Sequence, residues 1–150
     1  MRSEGSVEID RPIEDVFYLT NDNVAAWSII VVEDEMIDEK PGKIGSTFRS
    51  ITEEHGRRME FQGTITAWDP PYTCAMQLKG QMFDIEAAYS FEDLGSRTKV
   101  TQFSTVEGKG FVKPMFLLFG WLMNKSSCDA VNKELQSLRR FCEAQPTDIS

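Results

Sequence analysis

The period of apolar and polar positions changes several times along the chain. "SVEID" alternates the two, the pattern of a strand with one buried face. "DRPIEDVFYLT" then takes helical spacing. Pro12 suits a first helical turn, Glu14 and Asp15 lie at the positive end of the dipole, and Ile13, Val16 and Phe17 share one face. "NDNVAAW" restarts a second short helix, with Asn21, Asp22 or Asn23 available as its cap. From residue 44 the period of two returns. Strands are predicted for "IGSTFRSITEE", "RRMEFQGTITAW", "YTCAMQLKG", "MFDIEAAYSFED" and "RTKVTQFSTVE". Their joints, "HGR", "DPPY", "KGQ" and "DLGS", are short enough to make neighbours antiparallel.

After "GKG" the spacing becomes helical and stays so to Pro146. Some thirty residues at 1.5 Å each give a helix of about 45 Å, long enough to cross a whole sheet. In its second half Cys128, Val131, Leu135, Leu138 and Cys142 recur at threes and fours. Lys133, Glu134, Gln136, Arg139 and Arg140 take the other side. The order is one strand, two short helices, an antiparallel sheet and a long closing helix, which is an α+β class. One domain is expected over residues 1–150, with 145–150 as a flexible tail.

Alternation also assigns faces. Met59, Phe61, Gly63, Ile65 and Ala67 form one face of their strand, with Glu60, Gln62, Thr64, Thr66 and Trp68 opposite. Cys74, Met76 and Leu78 oppose Thr73, Gln77 and Lys79. Phe83, Ile85, Ala87, Tyr89 and Phe91 oppose Asp84, Glu86 and Ser90. In residues 46–52, Phe48 and Ile51 fall on opposite parities, so either a bulge lies there or the facing stays open. In 98–106 the better inward set is Val100, Gln102, Ser104 and Val106, and Phe103 contradicts it.

The element order and the residues that mark it resemble the START-like, or helix-grip (SRPBCC), superfamily, in particular its polyketide cyclase/dehydrase branch. The points of likeness are "RPIEDVF", "NDNVAAW" ending in Trp27, "KIGSTF", "ITAWDPPY" at a strand end, "GSRTKVT" and the long terminal helix, from about Val7 to Glu143. The resemblance implies a helix-grip fold, a curved antiparallel sheet wrapped around the C-terminal helix, with an apolar cavity between them. It does not imply one reaction, because members include cyclases, lipid and quinone carriers and hormone-binding proteins. The expected ligand-binding set is Trp27, Phe61, Ile65, Met76, Leu78, Phe83, Ile85, Tyr89, Gln102 and Ser104 from the first two-thirds of the chain, with Leu117 and Trp121 from the helix.

Composition narrows the partners. A net charge of -8 with 27% charged residues argues against tracking a phosphate backbone, so nucleic acid is not expected. No acid-free apolar core opens the chain, so no export signal is expected, and three scattered cysteines read as reduced thiols; together these point to a cytoplasmic protein. "KPMFLLFGWLM" is the most apolar stretch, but it is about half the length that spans a bilayer. The helix seam carried backward passes through Trp121 and Leu117. Phe116, Leu118, Phe119, Leu122 and Met123 do not fit that stripe. They are either covered by the N-terminal helices or open for a homodimer or transient membrane contact, with Gly120 permitting close approach.

Catalytic chemistry is sparse in the sequence. The strands with clear register turn no Asp, Glu, His or Lys inward. His55, the sole histidine, lies at a charged hairpin tip, and no zinc spacing or phosphate loop exists, so no metal or cofactor is expected. Cys74 reads as an inward apolar filler. The acids at 33–35 read as a solvated rim. Tyr89, Gln102, Ser104 and Arg49 are the groups able to polarise a carbonyl by hydrogen bonding. The readings that stay open are a carrier or sensor of a small hydrophobic ligand, lipid-, quinone- or polyketide-like, a cyclase or dehydratase acting by substrate positioning, and a protein-interaction module using the apolar half of the helix.

Overall fold

The computed structural model describes residues 2–54, 56–110 and 112–146, with side chains throughout except at 112–127. The elements in chain order are β1 (Arg2–Ile9), α1 (Ile13–Asp22), α2 (Val24–Trp27), β2 (Val31–Asp38), β3 (Thr47–Glu54), β4 (Arg57–Asp69), β5 (Thr73–Lys79), β6 (Phe83–Asp93), β7 (Thr98–Gly108) and α3 (Val112–Ala144). The strands form a seven-stranded sheet in the order β1-β7-β6-β5-β4-β3-β2. Every neighbouring pair is antiparallel. The strand that begins the chain therefore closes beside the last one, and α3 packs on that side. This is the helix-grip fold that the resemblance implies.

β2 was not anticipated. "VVEDEMID" carries no alternation, and all of its residues after Val31 are exposed. It forms a strand because β3 offers it a free edge, and as an edge strand it keeps its acids in water, which discourages further pairing. Its register against β3 shifts between Val31 and Glu33 and again between Met36 and Asp38. β3 pairs with β4 without a break, so the bulge considered for residues 46–52 belongs to β2 instead. Phe48, Ser50 and Thr52 turn inward, and Ile51 is on the outer face. There it is buried at 3% exposure, in register with Glu33 and Glu60. Arg49 pairs with Glu60 and Arg58 with Glu33, the two carboxylates in register with it.

A second correction concerns β4. The register slips between Ile65 and Ala67, which leaves Thr66 as an extra residue. The slip reverses parity for the rest of the strand. Trp68, assigned to the outer face by simple alternation, instead pairs with Cys74 and turns inward, its ring 5.0 Å from that of Phe17.

The packed core occupies one end of the sheet. Ile9, Val16, Phe17, Val100, Leu135, Leu138 and Cys142 are fully enclosed there, together with Val7, Ile13, Trp27, Cys74, Phe91 and Val131. α1 contributes the face predicted from its spacing, and α3 contributes the predicted Val131–Leu135–Leu138–Cys142 seam. Gly5 allows the approach of α3 to β1, because a Cβ at that position would collide with the side chains of Asn132 and Val131. Arg11 is buried at 3% exposure and ties the helix end to the N-terminal half. Its Nη1 donates to the Gln145 carbonyl at 2.7 Å and its Nη2 to the Pro146 carbonyl at 3.0 Å. Among the described residues, no helix is long and apolar enough to cross a membrane.

Candidate ligand cavity

The core fills only part of the sheet's inner face. The remainder, together with α2, the segment after it and the middle of α3, encloses a cavity of about 690 Å³. Strand alternation explains why its wall is apolar, since every second residue of a strand faces the same way. β4 presents Phe61 and Ile65, β5 presents Met76 and Leu78, and β6 presents Phe83, Ile85 and Tyr89. Gln102 and Ser104 come from β7, and Trp27 stands at the boundary between core and cavity. The structure thus brings these ten predicted positions to one space. Leu117 and Trp121 lie outside the residues whose side chains are described, as do Phe116, Phe119, Leu122 and Met123; His55 is outside the described residues altogether.

Close packing shapes the floor. Gly63 pairs with Phe48, and a Cβ there would fall within the Phe48 ring, so the absent side chain lets the ring lie flat on the sheet. Trp27 is fixed by two polar contacts. Its Nε1 donates to the Thr20 carbonyl at 2.9 Å, and Ser137 Oγ donates to its carbonyl. The mouth is held similarly. The Glu134 carboxylate accepts from Ser28 Oγ at 2.8 Å and from the Ile29 N–H at 2.6 Å, which clamps the α2–β2 segment to α3. Helical spacing places Glu134 on the polar side of α3; in the folded chain that side meets the α2–β2 segment, so the carboxylate is half-buried. Burial raises its pKa above the ordinary value, against the opposing effect of the hydrogen bonds from Ser28, Ile29 and Ile30.

The acids at 33–35 do not act alike. Glu33 and Glu35 stay on the outer face with Arg49, whereas Asp34 pairs in register with Ser50 and lines the cavity. It remains exposed at the mouth, yet its apolar surroundings push its pKa up to about 6. A titratable group therefore does reach the cavity, from the one strand that alternation did not reveal. Desolvation also raises the Tyr89 hydroxyl well above its usual range, aided by the charge on Glu134, so it is a neutral donor. Burial pushes the Cys74 thiol up to about 11, despite its 3.5 Å hydrogen bond to Asn21 Oδ1, so it is no nucleophile. Thr52 is 8% exposed; its Oγ1, like Gln102 Oε1, is enclosed and has no hydrogen-bond partner among the described residues.

An apolar cavity between a curved sheet and its closing helix is the arrangement described above, and residues 1–140 match the family model for polyketide cyclase/dehydrase and lipid transport. The chain belongs to this family. Solved structures agree with that membership in fold. A protein from Thermus thermophilus superposes with a TM-score of 0.80 at 18% identity, over 96% of this chain and 98% of the other. A START superfamily protein from Mycobacterium smegmatis has a TM-score of 0.72 at 18% identity, covering 95% and 94%. The Zhui aromatase/cyclase from Streptomyces sp. R1128 has a TM-score of 0.72 at 13% identity, covering 95% and 91%. No curated protein matches the sequence significantly. At these identities the likeness carries the fold alone, and the polyketide cyclase/dehydrase and lipid transport family spans more than one activity.

Proposed function

We propose that this protein binds a small hydrophobic molecule in the cavity between its sheet and C-terminal helix. One observation carries the reading: about 690 Å³ of space, walled mainly by apolar side chains, left open beside a well-packed core. Interiors normally fill at crystal-like density, so a void this large costs stability unless something occupies it. Its size falls in the range of small-molecule sites, and a few polar groups converge on it, which is the composition such sites have. Enclosing a few hundred Å² of apolar ligand surface contributes several kcal/mol at about 25 cal/mol per Å². Membership in a family of cyclases and lipid carriers supports the same reading. Native mass spectrometry of the purified protein should show an adduct that organic extraction removes, and a Phe83→Trp variant should lose affinity for it. An adduct-free protein that ignores an apolar library in thermal shift assays would refute the reading.

A second reading, cyclase or dehydratase chemistry, is favoured by Asp34. A carboxyl group with a pKa of about 6 at a cavity wall can exchange a proton with a bound carbonyl or hydroxyl at neutral pH. The aromatase/cyclase name of one structural relative points the same way. Incubation with a poly-β-ketone substrate should then give a cyclised product with wild type and none with Asp34→Asn, while the variant still binds. Equal products from both would leave the carrier reading alone.

A further inference from the structure

The side chains around Tyr89 are taken up elsewhere. Cys74, opposite it on β5, donates to Asn21 Oδ1 at 3.5 Å, and Asn21 Nδ2 donates to the Phe17 carbonyl at 2.9 Å. Glu134 reaches Tyr89 with its charge from α3, but its Oε2 accepts from Ser28 Oγ and its Oε1 from the Ile29 N–H. Gln102, opposite on β7, has its Oε1 enclosed. Tyr89 itself lines the cavity and keeps accessible surface. Its hydroxyl neither bonds to a described residue nor is enclosed.

A tyrosine hydroxyl in an apolar interior usually has a hydrogen-bond partner. Ser50 and Ser104 also line the cavity, but a serine hydroxyl can turn back to its own main chain. The Tyr89 ring, stacked on Phe91 at 6.4 Å, holds its oxygen away from the strand. Water can serve it while the cavity is empty. A ligand that displaces this water must replace its bond or lose affinity.

The chemistry of that bond follows from the surroundings. Burial and the charge on Glu134 keep the proton on the Tyr89 oxygen, so the group offers a donor. A ligand carbonyl accepts it and brings no proton of its own. A ligand hydroxyl would accept it too, but its own proton would then need an acceptor, and Glu134 and Asn21 are engaged. Beyond Tyr89 the inward positions of β6 turn apolar, through Ala87 and Ile85 to Phe83, with Met76 and Leu78 alongside on β5. At about 3.4 Å per residue the stretch from Tyr89 to Phe83 spans about 20 Å.

We propose that the cavity takes a hydrophobic ketone or quinone, with its carbonyl oxygen at the core end on the Tyr89 hydroxyl and its hydrocarbon body along β5 and β6 toward Phe83. The inference rests on the cavity being a ligand site. It adds an orientation for the ligand and makes Tyr89 the residue that distinguishes a carbonyl compound from its parent hydrocarbon.

The test uses Nile red, a neutral dye that brightens in apolar surroundings, displaced by three tricyclic competitors: 9-fluorenone, 9-fluorenol and fluorene. The ratio of their inhibition constants within one protein does not depend on the affinity of the dye. Tyr89→Phe should weaken fluorenone relative to fluorene about three- to tenfold, the worth of one hydrogen bond, and fluorenol should bind wild type more weakly than fluorenone. The carbonyl stretch of bound fluorenone should lie below its frequency in hexane with wild type and return toward it with the variant. Tyr89→Phe keeps the ring, so it should melt no lower than wild type. A lowered Tm would show that the hydroxyl has a partner on the chain and would overturn the inference. So would an unchanged fluorenone-to-fluorene ratio, a preference for fluorenol, or a hexane-like stretch in wild type, each leaving the cavity reading intact where Nile red binds. Wild type that does not bind Nile red at all would overturn both.

Discussion

The claim that the inner face encloses space, not packed side chains, can be tested by the sign of one substitution. Ala87 lies in the middle of β6, in register with Met76 on one side and Ser104 on the other, and its methyl group forms part of the cavity wall. Ala87→Leu adds three carbons. In an open cavity those carbons cover the neighbouring apolar wall and leave water. At about 0.8 kcal/mol per buried CH₂ the folded state gains about 2 kcal/mol. For a chain of this size that raises Tm by about 5–8 °C. In a filled core the same carbons force side chains off their rotamers, and the cost is about 1–3 kcal/mol. The two cases differ in direction, not merely in size. Space taken by the leucine is also lost to a ligand, so Nile red affinity should fall tenfold or more, which corresponds to about 1.4 kcal/mol. Thermal unfolding followed by far-ultraviolet circular dichroism, with and without Nile red, measures both quantities. A lowered Tm in the ligand-free variant would refute the cavity, and a raised Tm with unchanged Nile red affinity would refute its role.

Asp34 has its pKa raised to about 6 from an ordinary 3.8, so the folded state holds its proton more tightly than the unfolded state does. The charge costs nothing below pH 4, the cost grows between pH 4 and 6, and it is complete above pH 6. Asp34→Asn should therefore raise Tm at pH 7.5 and leave it unchanged near pH 4, by no more than about 1 kcal/mol because the group is exposed; equal effects at both pH values would contradict the assigned shift. Leu135→Ala, at 0% exposure in the seam between α3 and β1, should cost about 2–5 kcal/mol in urea unfolding, and a smaller loss would mean that the helix is loosely docked. Gly5→Val should push α3 off β1 and cost about 1–3 kcal/mol. Asn132→Ala, which removes one of the colliding side chains, should recover part of that loss, and no recovery would place the strain elsewhere.

Much of this architecture follows from periodicity. The helical seam through Val131, Leu135, Leu138 and Cys142 and the inward sets of β5 and β6 repeat in the sequence with the spacing they have in space, because each depends only on the geometry of its own element. The element order, with the motifs that mark it, then brings out the resemblance to the helix-grip superfamily. The inward positions of Phe61, Met76, Phe83 and Tyr89 were legible for the same reason, and so was the long apolar run of the C-terminal helix as an exception needing explanation.

What alternation could not supply depends on partners distant in sequence. β2 has no apolar rhythm of its own, and it is a strand only because β3 has a free edge to pair with; Asp34 reaches the cavity through that pairing, while Glu33 and Glu35 on either side face out. Trp68 turns inward because β4 takes in Thr66 as an extra residue, a slip defined only against β5. Ile51 is buried on the outer face between Glu33 and Glu60, which arginines of β3 and β4 pair with, and Glu134 lies on the polar side of its helix yet is half-buried, because the α2–β2 segment folds over it. Local sequence sets the period of an element, a property of single residues and their neighbours. The inward turns of Asp34 and Trp68 were decided by long-range pairing, where one inserted residue reverses every side chain beyond it.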